Sequence, residues 1–407
     1  MAILIRQELF KLFRRKKTLV VIIAFILLTT FLAYGTKQNA DYMKEYSTPE
    51  FQIENLEYHI SYLESELNNT PDYMLGDEEE IEEYKENLAN EIQMNQEEIK
   101  RLKNQINSHL SWEESLAENI KSQEAYLEEN QNTLDSDNLA HTKIELEELK
   151  YLQDHNIQPQ EYYDFNAFKY IEEIIENLGQ VFLVIGISVF AADMVSGEWT
   201  PPTMKLLLAQ PVSRRKVLLS KFIATIIAAV GLILLIEILS FIIVGVFFDL
   251  GDMNYPTIIN KVFEYDKSIF LEDGSHPLAL VDGSWDIVPA WQYTLKLLGY
   301  QALFIMAVSA FVFTISTIAK SSMVSMGVSV VSLIASTIIF QISSFYGISK
   351  YVFTSYSSVK AMITGDLARY FSSPAVTGNL GIIIIIAWII ICYILSHFIF
   401  TKRDMLV

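Results

Sequence analysis

The sequence predicts an all-α, polytopic membrane protein with six transmembrane helices and a large extracytoplasmic, coiled-coil-like helical insertion between spans 1 and 2. Three observations predict it: six separate apolar runs, basic residues gathered on one side of them, and a single acidic stretch whose apolar residues fall at heptad spacing.

The apolar runs come first. At 1.5 Å per residue, about 18 apolar residues cross roughly 30 Å of hydrocarbon. Runs of that order occur at 18–34, 178–195, 222–248, 297–319, 322–342 and 380–400. The chain of 407 residues is 51% hydrophobic and 19% charged, and its mean hydropathy is +0.26; such values coexist because the two kinds of residue are segregated. The first run follows Arg14, Arg15, Lys16 and Lys17 and ends at Ala33-Tyr34-Gly35, which has the look of a signal-peptide cleavage site. It is longer than the roughly 7 to 15 residues of a signal core, so it reads as a retained anchor.

Orientation follows from the cations, because Lys and Arg in short loops resist translocation. Arg6, Lys11 and Arg14 to Lys17 precede span 1; Lys205, Arg214, Arg215, Lys216 and Lys221 lie between spans 2 and 3; Lys320 lies between spans 4 and 5; Lys402 and Arg403 follow span 6. Six alternating spans put all of these on one side, the cytoplasm, with both termini. The expected division is therefore 1–35, a cytoplasmic amphipathic helix with span 1; 36–177, the extracytoplasmic arm; 178–248, spans 2 and 3 with a cytoplasmic elbow at 196–221; 249–296, an extracytoplasmic loop; and 297–407, spans 4 to 6 with a short tail.

The formal charge of -19 describes the arm alone, since 35 of the 49 acidic residues lie within 36–177, against 10 basic ones. Nothing in this charge pattern suggests a nucleic-acid partner. The arm has almost no Gly or interior Pro, which favours helix. Ile81, Leu88, Ile92, Ile99, Leu102 and Ile106 follow 3,4 spacing, as do Ile53, Leu56, Ile60 and Leu63, which argues for packed helices. Thr70-Pro71-Asp72 and Gly76-Asp77 mark the turn between them, and a later helix is expected over 139–152. The loop 249–296 holds Pro256, Pro277, Pro289, Trp285 and Trp291 and reads as an irregular cap ending near the bilayer interface.

The segment between spans 2 and 3, SGEWTPPTMKLLLAQPVSRRKVLLSK, combines a short apolar patch at 204–208, a breaker at Pro211 and a capping serine at Ser213. It reads as an amphipathic elbow at the cytoplasmic surface. On Glu198, Thr203, Lys205, Leu206, Leu207, Leu208, Pro211, Ser213, Arg214 and Lys221 the sequence resembles the permease subunits of type-2 ABC exporters. The opening MAILIRQELFKLFRRKK and the ending FTKRDMLV are similar to that family's two ends, and the span order agrees. Pro201-Pro202 stand where the family commonly has Gly before the Thr. The resemblance implies a non-catalytic subunit at a bacterial plasma membrane, a second permease, identical or paralogous, and two copies of a separate ABC ATPase that binds ATP and magnesium and docks on the elbow. It implies export of an amphipathic or lipophilic cargo: a drug, peptide, lipid or polymer precursor.

The chemistry that is absent agrees. No phosphate-binding GxxxxGK[ST] loop occurs, so ATP hydrolysis belongs to a partner and the chain itself binds no cofactor. There is no HExxH or GxSxG, the six histidines are scattered, and the single cysteine, Cys392, sits in the last apolar run, so neither a catalytic constellation nor a metal site is expected. Two carboxylates fall in or beside spans. Glu237 lies mid-run, where an exposed charge costs about 2.5 kcal/mol or more, so it is expected to face the bundle, a cavity or a partner. Asp193 lies near the cytoplasmic end of span 2. Ser325, Ser329, Ser332 and Ser336 share one helical face, which suits close helix packing or, alternatively, a polar path. A different class of reading, a structural or sensory membrane protein whose arm binds an extracellular partner, explains the arm but leaves the elbow and Glu237 unaccounted for.

Overall fold

The computed structural model describes residues 1–68, 78–107, 111–131, 133–199, 212–271, 274–340, 342 and 346–402. In chain order the helices are α1 (Ala2–Phe13), α2 (Lys16–Ser47), α3 (Pro49–Asn68), α4 (Glu78–Asn107), α5 (Trp112–Asn130), α6 (Ser136–Asp154), α7 (Ala167–Gly179), α8 (Phe182–Ala191), α9 (Arg214–Phe247), α10 (Ala290–Ile318), α11 (Ser322–Ile339), α12 (Tyr346–Ser349), α13 (Val359–Thr364), α14 (Leu367–Tyr370) and α15 (Gly378–Lys402). Among the described residues four short strands lie between α9 and α10: β1 (Pro256–Ile259), β2 (Phe263–Tyr265), β3 (Leu278–Leu280) and β4 (Asp286–Pro289). By contact the chain divides into one compact unit of Met1–Tyr34, Ile120–Ile157 and Asn166–Val407, and another of Gly35–Asn119 and Gln158–Phe165.

In the second unit the two apolar stripes of the sequence face one another. Ile53 and Ile60 of α3 pack with Ile99 and Leu102 of α4, with Leu56 and Ile92 alongside. The pairing is antiparallel: Lys103 Nζ meets Glu57 at 3.1 Å near one end, and Tyr84 Oη donates to Glu66 at 2.6 Å near the other. The turn residues expected at 70–72 and 76–77 lie outside the described residues.

The first unit holds the membrane bundle. α2, α9, α10, α11 and α15 are each long and apolar enough to cross a bilayer, and α7 with the segment 182–198 makes a sixth if this pair, bent by 63°, is one span. The apolar run at 178–195 is therefore not one straight helix. It breaks at Gly179 and Gln180, and hydropathy, which averages over direction, does not register the bend. α10 is the centre of the bundle, with 67% of its spanning window buried against 17–28% in the other four straight spans. The outer faces of those four carry exposed Leu27, Leu235, Val331 and Ile383 respectively, which suit lipid rather than water. Close approach is built in where the ring of Phe25 lies over Gly186: a Cβ at Gly186 would stand 2.3 Å from the ring.

The segment 249–296 is more ordered than the irregular cap expected from its prolines. β1 pairs antiparallel with β4, Pro256 opposite Pro289, and β2 with β3, Phe263 opposite Leu280. Both Pro residues stand at strand ends, where a missing N–H costs little. α6, capped by Asp135 accepting from Asn138 N at 2.8 Å, covers this module: Ala140 and Ile144 pack on Phe263, Leu280 and Ala368. Polar contacts fasten it there. Ser136 donates to Asp266 at 2.7 Å, Trp285 Nε1 to Glu147 at 2.6 Å, and Arg369 to Asp137 at 2.6 Å. The segment after α11 also packs inward, Phe353 and Tyr356 being buried, with Phe353 against Phe304 and Trp388.

Candidate coupling site

The elbow is described at its two ends, 196–199 and 212–221; Thr203, Lys205, Leu206, Leu207, Leu208 and Pro211 lie outside the described residues. After α8 the chain tightens into a 3₁₀ turn, Ser196–Glu198. The turn is pinned to α10, because Ser316 Oγ accepts from both Val195 N and Ser196 N at 3.1 Å, while Ser196 Oγ donates back to Ala192 O at 2.8 Å. This fixes the direction of Glu198. On the far side, Ser213 stands at the N-cap position of α9, its carbonyl accepting from Lys216 N at 2.9 Å, and Arg214, Arg215 and Lys216 are exposed.

Between these ends lies a buried charge cluster. Lys221, on the second turn of α9 and 1% exposed, donates from Nζ to Glu198 Oε1 at 2.8 Å and to Glu8 Oε2 at 2.9 Å. Glu8 belongs to α1, and Lys11, one turn along, reaches its other oxygen at 3.4 Å from a half-exposed position. One ammonium thus joins three elements: the N-terminal helix, the turn leading into the elbow and the helix leaving it. Removing one partner of a buried pair costs about 3–5 kcal/mol because the other charge is left unsolvated. Glu198 and Lys221 carry the sequence resemblance; Glu8 was not singled out there. The available signal is its isolation, since it is the only acidic residue before Asp41 in the sequence.

A second cluster flanks the first. Asp193 Oδ1 accepts from Arg15 at 2.8 Å and is also ion-paired to Lys17, so Arg15 at the joint and Lys17 in the first turn of α2 are held against the end of α8. Thr18 Oγ1 donates to Leu12 O at 2.7 Å and closes the joint between those helices.

Glu237 and the serines lie elsewhere. Glu237, 2% exposed on α9, faces Gln301 of α10, whose Nε2 donates to Oε1 at 2.7 Å; among the described residues Oε2 has no hydrogen-bond partner. The carboxylate faces inward, as its cost in lipid requires. Ser325 and Ser329 are fully buried on α11, Ser332 Oγ donates to Ser329 O at 3.2 Å, and Ser336 bonds Thr354 at 2.7 Å. The four do line one face, and it is packed. Neither Glu237 nor these serines join the cluster around Lys221. Among the described residues no group of His, Cys, Asp and Glu side chains is arranged to hold a metal.

Comparison with curated proteins yields no match. The family described as ABC-2 family transporter protein matches residues 2–405, so it takes in α1, the bent pair, the elbow and every span. The chain belongs to this family and is a multi-pass membrane permease of an ABC transporter.

Proposed function

We propose that this permease is the membrane half of an ATP-driven exporter whose ATPase is a separate polypeptide, docked on the elbow at 196–221 and carrying the ATP and magnesium. The observation that carries the reading is the buried contact of Lys221 with Glu198 and Glu8. A push on the elbow from outside the bilayer would move Glu198 and the base of α9 together and take α1 with them, which is what a coupling element must do. Two ATPase copies and a second permease, identical or paralogous, complete the transporter, and an amphipathic or lipophilic cargo leaves the cytoplasm of a bacterial cell through it.

The proposed topology, six crossings with both termini cytoplasmic, has its own support. Contacts between Asp137 and Arg369, and between Ser136 and Asp266, join the segments after span 1, after α9 and after α11. Segments in contact share one side of a bilayer, so an even number of crossings separates them. α9 alone between Ser136 and Asp266 would be odd; the bent pair counted as one crossing makes the number even.

The test is the elbow itself. Leu206→Ser with Leu207→Ser removes an apolar patch worth about 1.5–3 kcal/mol per buried leucine and leaves the orienting cations in place. Membrane insertion is expected to survive, and copurification of the ATPase and stimulation of its turnover to fall. Arg214→Glu is expected to weaken the same contact more at low salt than at high salt. Binding and stimulation equal to wild type in both variants would remove the elbow from the mechanism.

A further inference from the structure

A cavity of 420 Å³ opens where the strand module meets the bundle, bounded by the turn between β1 and β2, the first turns of α10, the α13–α14 corner and the start of α15. Its frame is rigid. Asn260 N and Lys261 N donate to Ile363 O and Thr364 O at 2.9 Å each. Gly365 sits beside them at φ +94°, and a Cβ there would stand 2.0 Å from the Lys261 carbonyl oxygen, so the corner admits only glycine.

The lining is chemically one-sided. Asn260, Lys261, Lys296, Thr377 and Asn379 supply the polar wall, no acidic side chain among the described residues contributes to it, and Val262, Met362 and Val376 supply an apolar wall. The two lysines differ. Lys261 is neutralised by Asp366 at 2.7 Å. Lys296, half-buried on α10, makes no ion pair among the described residues. The first turn of α15, a 25-residue helix whose Leu380 N–H is capped by Thr377 Oγ1 at 3.3 Å, also borders the cavity, so its positive dipole end adds to the same field. An uncompensated ammonium beside an apolar wall suits an anion carried on a hydrocarbon chain.

We propose that this cavity binds the phosphate-bearing headgroup of an anionic amphiphile, with Lys296 as its charge partner and the apolar wall taking the start of its chain. The proposal concerns binding to the permease alone, so it stands or falls separately from coupling to an ATPase.

Native mass spectrometry of the intact protein in detergent tests it, with dioleoyl phosphatidylglycerol, dioleoyl phosphatidylcholine and inorganic phosphate as probes. The glycerol lipid is expected to bind in preference to the choline lipid. Lys296→Gln is expected to weaken its binding by about tenfold without lowering the melting temperature, and Lys296→Arg to restore it. Lys267→Gln, which removes the same charge from an exposed position on the strand module, is expected to leave binding unchanged. Phosphatidylglycerol bound equally by wild type and Lys296→Gln overturns the proposal, as does equal loss in Lys267→Gln. Saturation by inorganic phosphate with no preference between the lipids keeps an anion site but overturns its assignment to an amphiphile.

Discussion

Lys221 and Glu8 are 213 positions apart in sequence and 2.9 Å apart in the protein, and Glu198 closes the same ammonium from the other side. Substituting the lysine therefore takes the shared ammonium from two buried carboxylates at once, leaving Glu8 the longer contact to Lys11 at 3.4 Å, whereas substituting either acid leaves the lysine one partner. Lys221→Met is expected to lower stability by about 3–5 kcal/mol and Glu8→Gln by clearly less. The triple variant Lys221→Met, Glu8→Gln, Glu198→Gln should recover part of the loss. Thermal unfolding in detergent reads all three, and equal losses in the first two variants would contradict the shared-ammonium geometry.

Glu237→Gln keeps an oxygen that can accept from Gln301, while Glu237→Leu leaves that buried amide without its acceptor, a cost of about 1–3 kcal/mol. The expected order of stability is therefore Gln above Leu. Transport in reconstituted vesicles separates structure from function: activity that falls in the stable Gln variant marks the carboxylate as part of the path, and activity equal in all three proteins retires that role.

Glu148, on the α6 face, has its carboxyl pushed above the usual range by burial first and by neighbouring Glu145 second. The sign follows from linkage: a carboxyl whose folded pKa exceeds its unfolded value favours the folded state when protonated, so its contribution is present at low pH and lost as pH rises through the folded pKa. Glu148→Gln is expected to raise the melting temperature at pH 7, and the advantage should vanish below the ordinary glutamate pKa of about 4.3. A variant less stable than wild type at pH 7 would show that Glu148 has a partner worth more than its burial costs.

Gly186 gives way to the ring of Phe25, and no Cβ fits between them. Gly186→Ala is expected to destabilise the bundle by about 1–3 kcal/mol through overpacking, and Phe25→Leu in the same chain should return much of it. Simple addition of the two losses would mean the helices do not touch there.

Much of this fold is legible in hydropathy, because a spanning helix announces itself by a long apolar run; five of the six runs coincide with straight helices. The sixth hides its bend because Gly179 and Gln180 change direction without changing composition. The strands hide for another reason. β1 and β4 are four residues each and pair across a long separation, so no turn lies between them to mark a hairpin. At the candidate site, Glu198 and Lys221 carry a recognisable pattern, whereas Glu8 gains its meaning from a neighbour that only folding supplies. The middle of the elbow, where the leucines lie, is outside the described residues.

The Asp137–Arg369 pair has a consequence for the order of synthesis. Its acidic half leaves the ribosome after one span and its basic half 232 residues later, when only the last span remains to be made. α6 therefore waits through two more spans before Phe263 and Leu280 can cover Ala140 and Ile144, and through four before this clasp can close. At translation rates of about 5–20 residues per second, the delay is on the order of tens of seconds, and during it the strand module remains open to early misassembly and to the chaperones that guard against it.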